Sequence, residues 1–131
     1  FQMKLLIFFY FSCIKLFFKM KYFFLILFIL IQNSNYEILE LNDYIEKINN
    51  GYQIIDVRTQ SEFAHGHIPN AINLDFYAFN FITEINKLSK NEPVLIYCRS
   101  GNRSQKTGTI MDSLGFNKIY DLKDGYSIWN P

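Results

Sequence analysis

The chain has 131 residues, half of them hydrophobic and 18% aromatic, enough for one domain of ordinary size and too apolar for a disordered protein. Its net charge of +1 joins two unlike segments: nine of the 14 Phe precede residue 29, while all 12 acidic residues, all six Gly and all three Pro follow Asn35. Lys4, Lys15, Lys19 and Lys21 give the first segment +4, and the remaining −3, without a basic run, argues against nucleic acid as a partner.

Residues 1–34 form a hydrophobic N-terminal segment. Apolar runs at 5–14 and 22–31 flank a stretch holding three lysines, and neither reaches the roughly 18–20 residues that cross a bilayer alone. The second run has the layout of an export signal: Met20-Lys21 as a short basic start, residues 22–31 as the apolar stretch, residues 32–35 as a polar exit. Met20 is therefore expected to be the true start. Aromatic residues surround this helix and leave no polar face, which speaks against a buried core helix. No small-x-small pair precedes Asn35, so a cleaved signal peptide and an uncleaved membrane anchor both stay open. Lysines before the apolar run and acidic residues after it place the domain outside the cytoplasm, periplasmic or otherwise extracytoplasmic.

Residues 35–131 alternate short apolar runs with amphipathic stretches, the pattern of α/β architecture. Strands are expected at 37–39, 52–57, 71–74, 94–97 and 119–122. A helix capped by Asn42 or Asp43 follows the first strand, with Tyr44, Ile45 and Ile48 inward and Gly51 as its stop. Ser61 to Gly66 reads as one helical turn with Ser61 as cap. A helix over 76–88 carries an apolar stripe of Phe79, Ile82 and Ile85, with Phe81 and Leu88 nearby. Another runs over 104–114, and a last helical turn after Asp124-Gly125 carries Trp129. Helical crossovers imply a mainly parallel sheet covered by helices on both faces.

Cys98 stands directly after the strongest strand and opens the segment Cys98-Arg99-Ser100-Gly101-Asn102-Arg103-Ser104 before a helix. Ligands of open α/β sheets bind beyond the carboxyl ends of the strands, where this segment lies. Successive backbone amides in a tight loop make an anion-binding concavity, and the helix N-terminus adds positive potential. Arg99 and Arg103 add two charges, so the loop favours thiolate over thiol at Cys98. Gly101 permits a backbone turn that a side chain would obstruct. The same cradle suits an oxyanion such as thiosulfate or phosphate. The competing view, an ordinary buried core cysteine, leaves the polar run with its two arginines unexplained.

The segment from Tyr97 to Ser104 resembles the active-site loop of rhodanese-like single-domain sulfurtransferases. Asp56-Val57-Arg58, Glu62-Phe63 and Gly66-His67-Ile68-Pro69-Asn70-Ala71-Ile72-Asn73 are similar to the upstream signature of that family, and Asp124-Gly125-Tyr126 through Trp129 to its closing motif. The likeness runs in order from about Glu37 to Trp129. Asn70 stands where a Gly is usual, a mild departure because Asn tolerates positive φ, and Asp124 replaces the first of two usual glycines. The resemblance implies a rhodanese-like, five-stranded parallel sheet with flanking helices. It also implies that Cys98 accepts a sulfane sulfur as a persulfide and passes it to a thiophilic acceptor.

Cys98 is thus the expected nucleophile, and Arg99, Ser100, Gly101, Asn102, Arg103 and Ser104 the expected substrate-binding groups. Asp56 and Arg58 are supporting candidates at a second strand end, with Arg58 expected to pair with Glu62. A nucleophile that is already a thiolate needs no base, so His67 is expected to bond backbone and His65 to lie on the surface. Tyr126 and Trp129 read as aromatics covering the core. No His/Asp/Glu cluster has metal spacing, and two cysteines exclude a disulfide framework and a Cys-rich zinc site; no metal or cofactor is invoked. Expected partners are a small anionic sulfur donor and a thiol or cyanide acceptor, with membrane attachment through the N-terminal segment open. Two alternatives share the loop. A relative of the dual-specificity phosphatases would carry five residues between Cys and Arg, where four stand here, and a His where Tyr97 stands. A non-enzymatic interaction module is disfavoured by the intact Cys98 and its full polar loop, a persulfide carrier serving a partner stays open, and redox exchange is disfavoured by the lack of a second cysteine in the domain. Arg99→Ala is expected to raise KM for thiosulfate, and Arg103→Ala to shift the pH profile of Cys98 alkylation upward.

Overall fold

The computed structural model describes residues 14, 15, 17–26 and 34–130, in two compact units, Phe1–Asn33 and Ser34–Pro131. In the first unit the described residues are helical, and Phe17, Phe18, Phe23, Phe24 and Leu25 are exposed. No helix among the described residues is long and apolar enough to cross a membrane. Cys13, most of the apolar run at 5–14, residues 27–31 of the second run and half of the polar exit at 32–35 lie outside the described residues.

The second unit runs β1 (Tyr36–Leu39), α1 (Leu41–Asn49), β2 (Gln53–Asp56), α2 (Gln60–Ala64), β3 (Ile72–Asn73), α3 (Phe81–Lys87), β4 (Val94–Tyr97), α4 (Asn102–Ser113) and β5 (Ile119–Leu122), ending in a 3₁₀ turn, Gly125–Ile128. All strand pairs are parallel, in the order β1-β5-β4-β2-β3. Strand period two divides the core cleanly. Ile55, Ile96 and Ile119 face one side with Phe81, Ile85 and Met111 of the helices α3 and α4. Ile54, Leu95 and Leu122 face the other with Tyr44 of α1, flanked by Tyr126, Ile128 and Trp129 of the final turn. Helices cover both faces, and the loops after β2, β4 and β5 gather at the carboxyl edge of the sheet.

Three local expectations give way. α1 starts at Leu41 with Glu40 as its cap residue, one turn-step ahead of Asn42 and Asp43, and no side chain caps it. α2 is capped by Thr59 instead of Ser61: Thr59 Oγ1 accepts from Glu62 N while the Glu62 carboxylate accepts from Thr59 N, a reciprocal capping box. α3 is only seven residues long, because Asp75 Oδ1 accepts from Tyr77 N at 2.9 Å and holds the preceding residues in turns. Phe79 then projects fully into solvent, and Ile82 is also exposed, so only Phe81 and Ile85 of the expected stripe are buried.

Candidate active site

Cys98 is the first residue past β4, and α4 begins two residues earlier than the expected Ser104, at Asn102. Gly101 is its cap residue, at φ +95, a backbone that favours glycine. Gln105 N makes the first intrahelical bond, to Gly101 O at 2.9 Å, so the amides of Asn102, Arg103 and Ser104 have no helical acceptor. The Cys98 sulfur rests inside this curl, and the residue is 1% exposed. Gly101 N donates to Cys98 Sγ at 3.1 Å, and the Ser104 hydroxyl lies 3.5 Å from it while also reaching Gly101 O at 3.1 Å. Arg99, Ser100 and Asn102 form an exposed crown around the buried sulfur.

The far side of the loop is clamped by the final turn. Tyr126 N donates to Cys98 O at 2.8 Å and Ser127 N to Arg99 O at 3.0 Å, which points these carbonyls outward and away from the curl. The clamp needs Gly125. Its φ is +62, and a Cβ there would lie 2.4 Å from Cys98 O. Asp124 and Asn70, the two positions that depart from the usual pattern, both adopt left-handed backbone, at φ +59 and +65.

The charged residues do not all converge on the sulfur. Arg103 grips Glu62 with both ends of its guanidinium, Nη1 to Oε2 at 2.7 Å and Nη2 to Oε1 at 2.8 Å. That grip ties the loop to α2, and the Arg103 bond, with those from Thr59, holds the Glu62 carboxyl down at about 2. The expected Arg58–Glu62 pair is therefore corrected: Glu62 is committed to Arg103 and to the Thr59 cap. Arg58 folds onto Asp56 instead, with Nη2 at 2.6 Å from Oδ2 and Nε bonding both carboxylate oxygens. Both residues are buried. Neither hydrogen-bonds Cys98. They brace the site from behind, because the Arg58 guanidinium lies 4.0 Å from the Tyr126 ring centre and 5.5 Å from that of Tyr97.

Arg99 is the arginine with no protein partner among the described residues. It overhangs a groove of about 420 Å³ that Arg58, Ser61, Glu62, His65, Tyr126 and Ser127 also line. His67 bonds the Phe63 carbonyl at 3.0 Å and stacks on the Phe63 ring, and His65 bonds Ser61 O at 2.7 Å; neither bonds Cys98. Tyr126 and Trp129 pack on the core.

Beneath the sulfur lies a group that sequence reasoning missed. Asp121 of β5 is 1% exposed; Tyr36 of β1 donates its phenol to Oδ2 at 2.6 Å, while Oδ1 has no hydrogen-bond partner among the described residues. Burial pushes its carboxyl up to about 6, and the bond from Tyr36 and the nearby Ser104 hydroxyl only partly offset this. Burial likewise pushes the Tyr36 phenol up, reinforced by the bond to Asp121. No sequence motif signals this pairing of residues 85 positions apart. A signal for Glu62 did exist, since Thr59-x-x-Glu62 is a capping-box pattern.

Comparison with known proteins agrees with this architecture. Residues 40–131 match the model of the rhodanese-like domain. The chain is 32% identical over 82 residues to a thiosulfate sulfurtransferase GlpE of Ectopseudomonas mendocina, covering 62% of this chain and 72% of that protein. It is 36% identical over 76 residues to a protein of the same name from Coxiella burnetii, covering 58% and 69%. Among solved structures, a rhodanese-related protein from Thermoplasma volcanium superposes with a TM-score of 0.64 at 29% identity, over 72% of this chain and 90% of that one. With the family model matched over all of the α/β unit from residue 40 onward and the cysteine loop in place, the chain belongs to the rhodanese-like domain family and is an enzyme of the rhodanese type.

Proposed function

We propose that this protein is a sulfurtransferase that moves sulfane sulfur through Cys98, with thiosulfate as the model donor. The Cys98 thiolate attacks the outer sulfur of thiosulfate, the donor S–S bond breaks, and sulfite leaves with the bonding pair. The transferred sulfur remains on Cys98 as a persulfide anion. A thiolate or cyanide then attacks that outer sulfur, and the Cys98 thiolate departs as leaving group. No proton transfer at Cys98 is required in either step.

One observation carries this reading: the Cys98 sulfur lies in a curl of backbone at the start of α4, with Gly101 N at 3.1 Å and the Ser104 hydroxyl at 3.5 Å. Fixed donors of this kind favour an anion on either sulfur without rearrangement. Exposed Arg99 supplies charge for an anionic donor at the rim. The phosphatase alternative fares worse, because Arg103 is already engaged at both ends by Glu62. The names of the related proteins support the same chemistry. Export follows as a proposal from the N-terminal layout, with the domain outside the cytoplasm, released or anchored.

The deciding measurement is intact mass after incubation with thiosulfate. The protein is expected to gain one sulfur atom at Cys98, to lose it to cyanide as thiocyanate, and to do neither as Cys98→Ser. An unchanged mass with Cys98 demonstrably alkylatable defeats the proposal. Cell fractionation of the tagged full chain, with N-terminal sequencing of the mature protein, tests export and the start at Met20.

A further inference from the structure

Asp121 has no part in the sulfur chemistry as derived so far, yet it is built into the floor of the site. Gly108 of α4 lets the Tyr36 ring lie flush against that helix, since a Cβ there would sit 2.2 Å from the ring. The ring's phenol then ends on Asp121 Oδ2. The other carboxylate oxygen is buried and unpartnered, on the sheet face that also carries Ile119 and Cys98. The Ser104 hydroxyl faces this carboxyl but spends its proton elsewhere, on Gly101 O and the Cys98 sulfur.

We infer that Asp121 is a positioning residue that, through its own protonation and the Ser104 hydroxyl, sets how firmly the Cys98 sulfur is held as an anion. With its proton on, Asp121 is neutral and leaves the Ser104 hydroxyl to the sulfur. With its proton lost to solvent, Oδ1 competes for the Ser104 hydroxyl and a second negative charge lies below the thiolate. Both effects act in one direction, against the thiolate. Among the described residues, the groups that act on Asp121 are Tyr36 from β1, Ser104 from α4 and, through the sheet, Tyr44 from α1, while Cys98 follows β4 on the same sheet face. No Lys, Arg or His pairs with it among the described residues, so nothing there neutralises the carboxylate. The inference rests on the proposed function only for Cys98 as nucleophile.

The test is the pH profile of Cys98 carbamidomethylation by iodoacetamide in the full chain, read at the Cys98 peptide by mass spectrometry so that Cys13 does not interfere. Asp121→Asn keeps an acceptor for Tyr36 and a donor toward Ser104, and fixes the neutral state. It is expected to react on the order of threefold to tenfold faster than the unaltered protein near pH 7.5, with the difference closing toward pH 5. A profile that superimposes on that of the unaltered protein overturns the inference. Tyr36→Phe, which removes a donor to the carboxylate, is expected to move the inflection near pH 6 upward, and an unmoved inflection overturns it even if Asp121→Asn does not fold. Thiosulfate loading is scored separately. A shifted profile without loading defeats the sulfur-transfer reading alone, and normal loading with superimposed profiles defeats this inference alone.

Discussion

Rim and floor of the Cys98 loop each hold a carboxylate, and the two behave in opposite ways. At the rim, Glu62 is gripped by the Arg103 guanidinium and capped by Thr59, which together hold its carboxyl at about 2. On the floor, Asp121 has a phenol and no cation, and burial drives it to about 6. Solvent and a guanidinium make charge cheap at the rim, whereas the floor tolerates it poorly. The charge at the mouth of the site is thus fixed, whereas the charge beneath its nucleophile comes and goes around pH 6.

Forcing open the clamp that joins rim and floor gives the largest effect. Gly125→Ala places a methyl group against Cys98 O at a left-handed backbone position. A loss of about 4 kcal/mol in stability is expected, with at least about a tenfold fall in Cys98 alkylation. Urea unfolding checks it, and an unchanged midpoint would show that the clamp yields easily.

Asp121→Asn comes next, and its sign follows from linkage. The folded carboxyl titrates above its unfolded counterpart, so the native state holds the extra proton between about pH 4 and about pH 6. Its stabilising share is complete below pH 4 and is lost as pH rises through about 6. Asp121→Asn should therefore gain on the unaltered protein by about 2 kcal/mol between pH 4 and pH 7. Parallel stability curves across that window would place Asp121 in contact with water.

At the rim the effects are smaller and paired. Glu62→Gln frees the Arg103 charge and Arg103→Ala exposes that of Glu62, so Cys98 alkylation at pH 7 should rise by about threefold in the first and fall by a similar factor in the second. Changes of the same sign would show that the pair acts only as a brace. Glu62 also contributes stability above its unfolded titration range that is lost as pH falls toward about 2. Arg103→Ala should flatten that acid limb in stability curves. Smallest of all, Arg99→Ala should raise KM for thiosulfate by about twofold with kcat and the alkylation profile unchanged.

The floor and the rim also differ in how far the sequence announces them. The strands Val94–Tyr97 and Ile119–Leu122 coincide with their apolar runs, and the Cys98 segment lies between strand and helix as local pattern requires. Glu62 and Arg103 were visible as residues, but their meeting joins α2 to α4 across 41 positions and depends on where parallel strands end. Asp121 shows in the sequence only as strand interior, because period two assigns it a face without naming what waits there. Phe79 failed for a local reason. Helical spacing placed it inward, and one Asp75 side-chain bond to the following backbone took those residues out of the helix.

The pairing of β1 with β5 has a consequence for synthesis. β1 is an edge strand whose sole neighbour is β5, and the clamp on Cys98 O comes from Tyr126, after β5. Both strand and clamp reach the ribosome exit after everything else in the domain, so Tyr36 waits for most of translation before its partner exists. A nascent or truncated chain ending before β5 exposes Cys98 as an ordinary thiol, with neither floor nor clamp. The pocket around this cysteine is therefore completed only when the last strand and turn of the domain are in place, so that under the proposed function an unfinished domain has no assembled site at which to load sulfur.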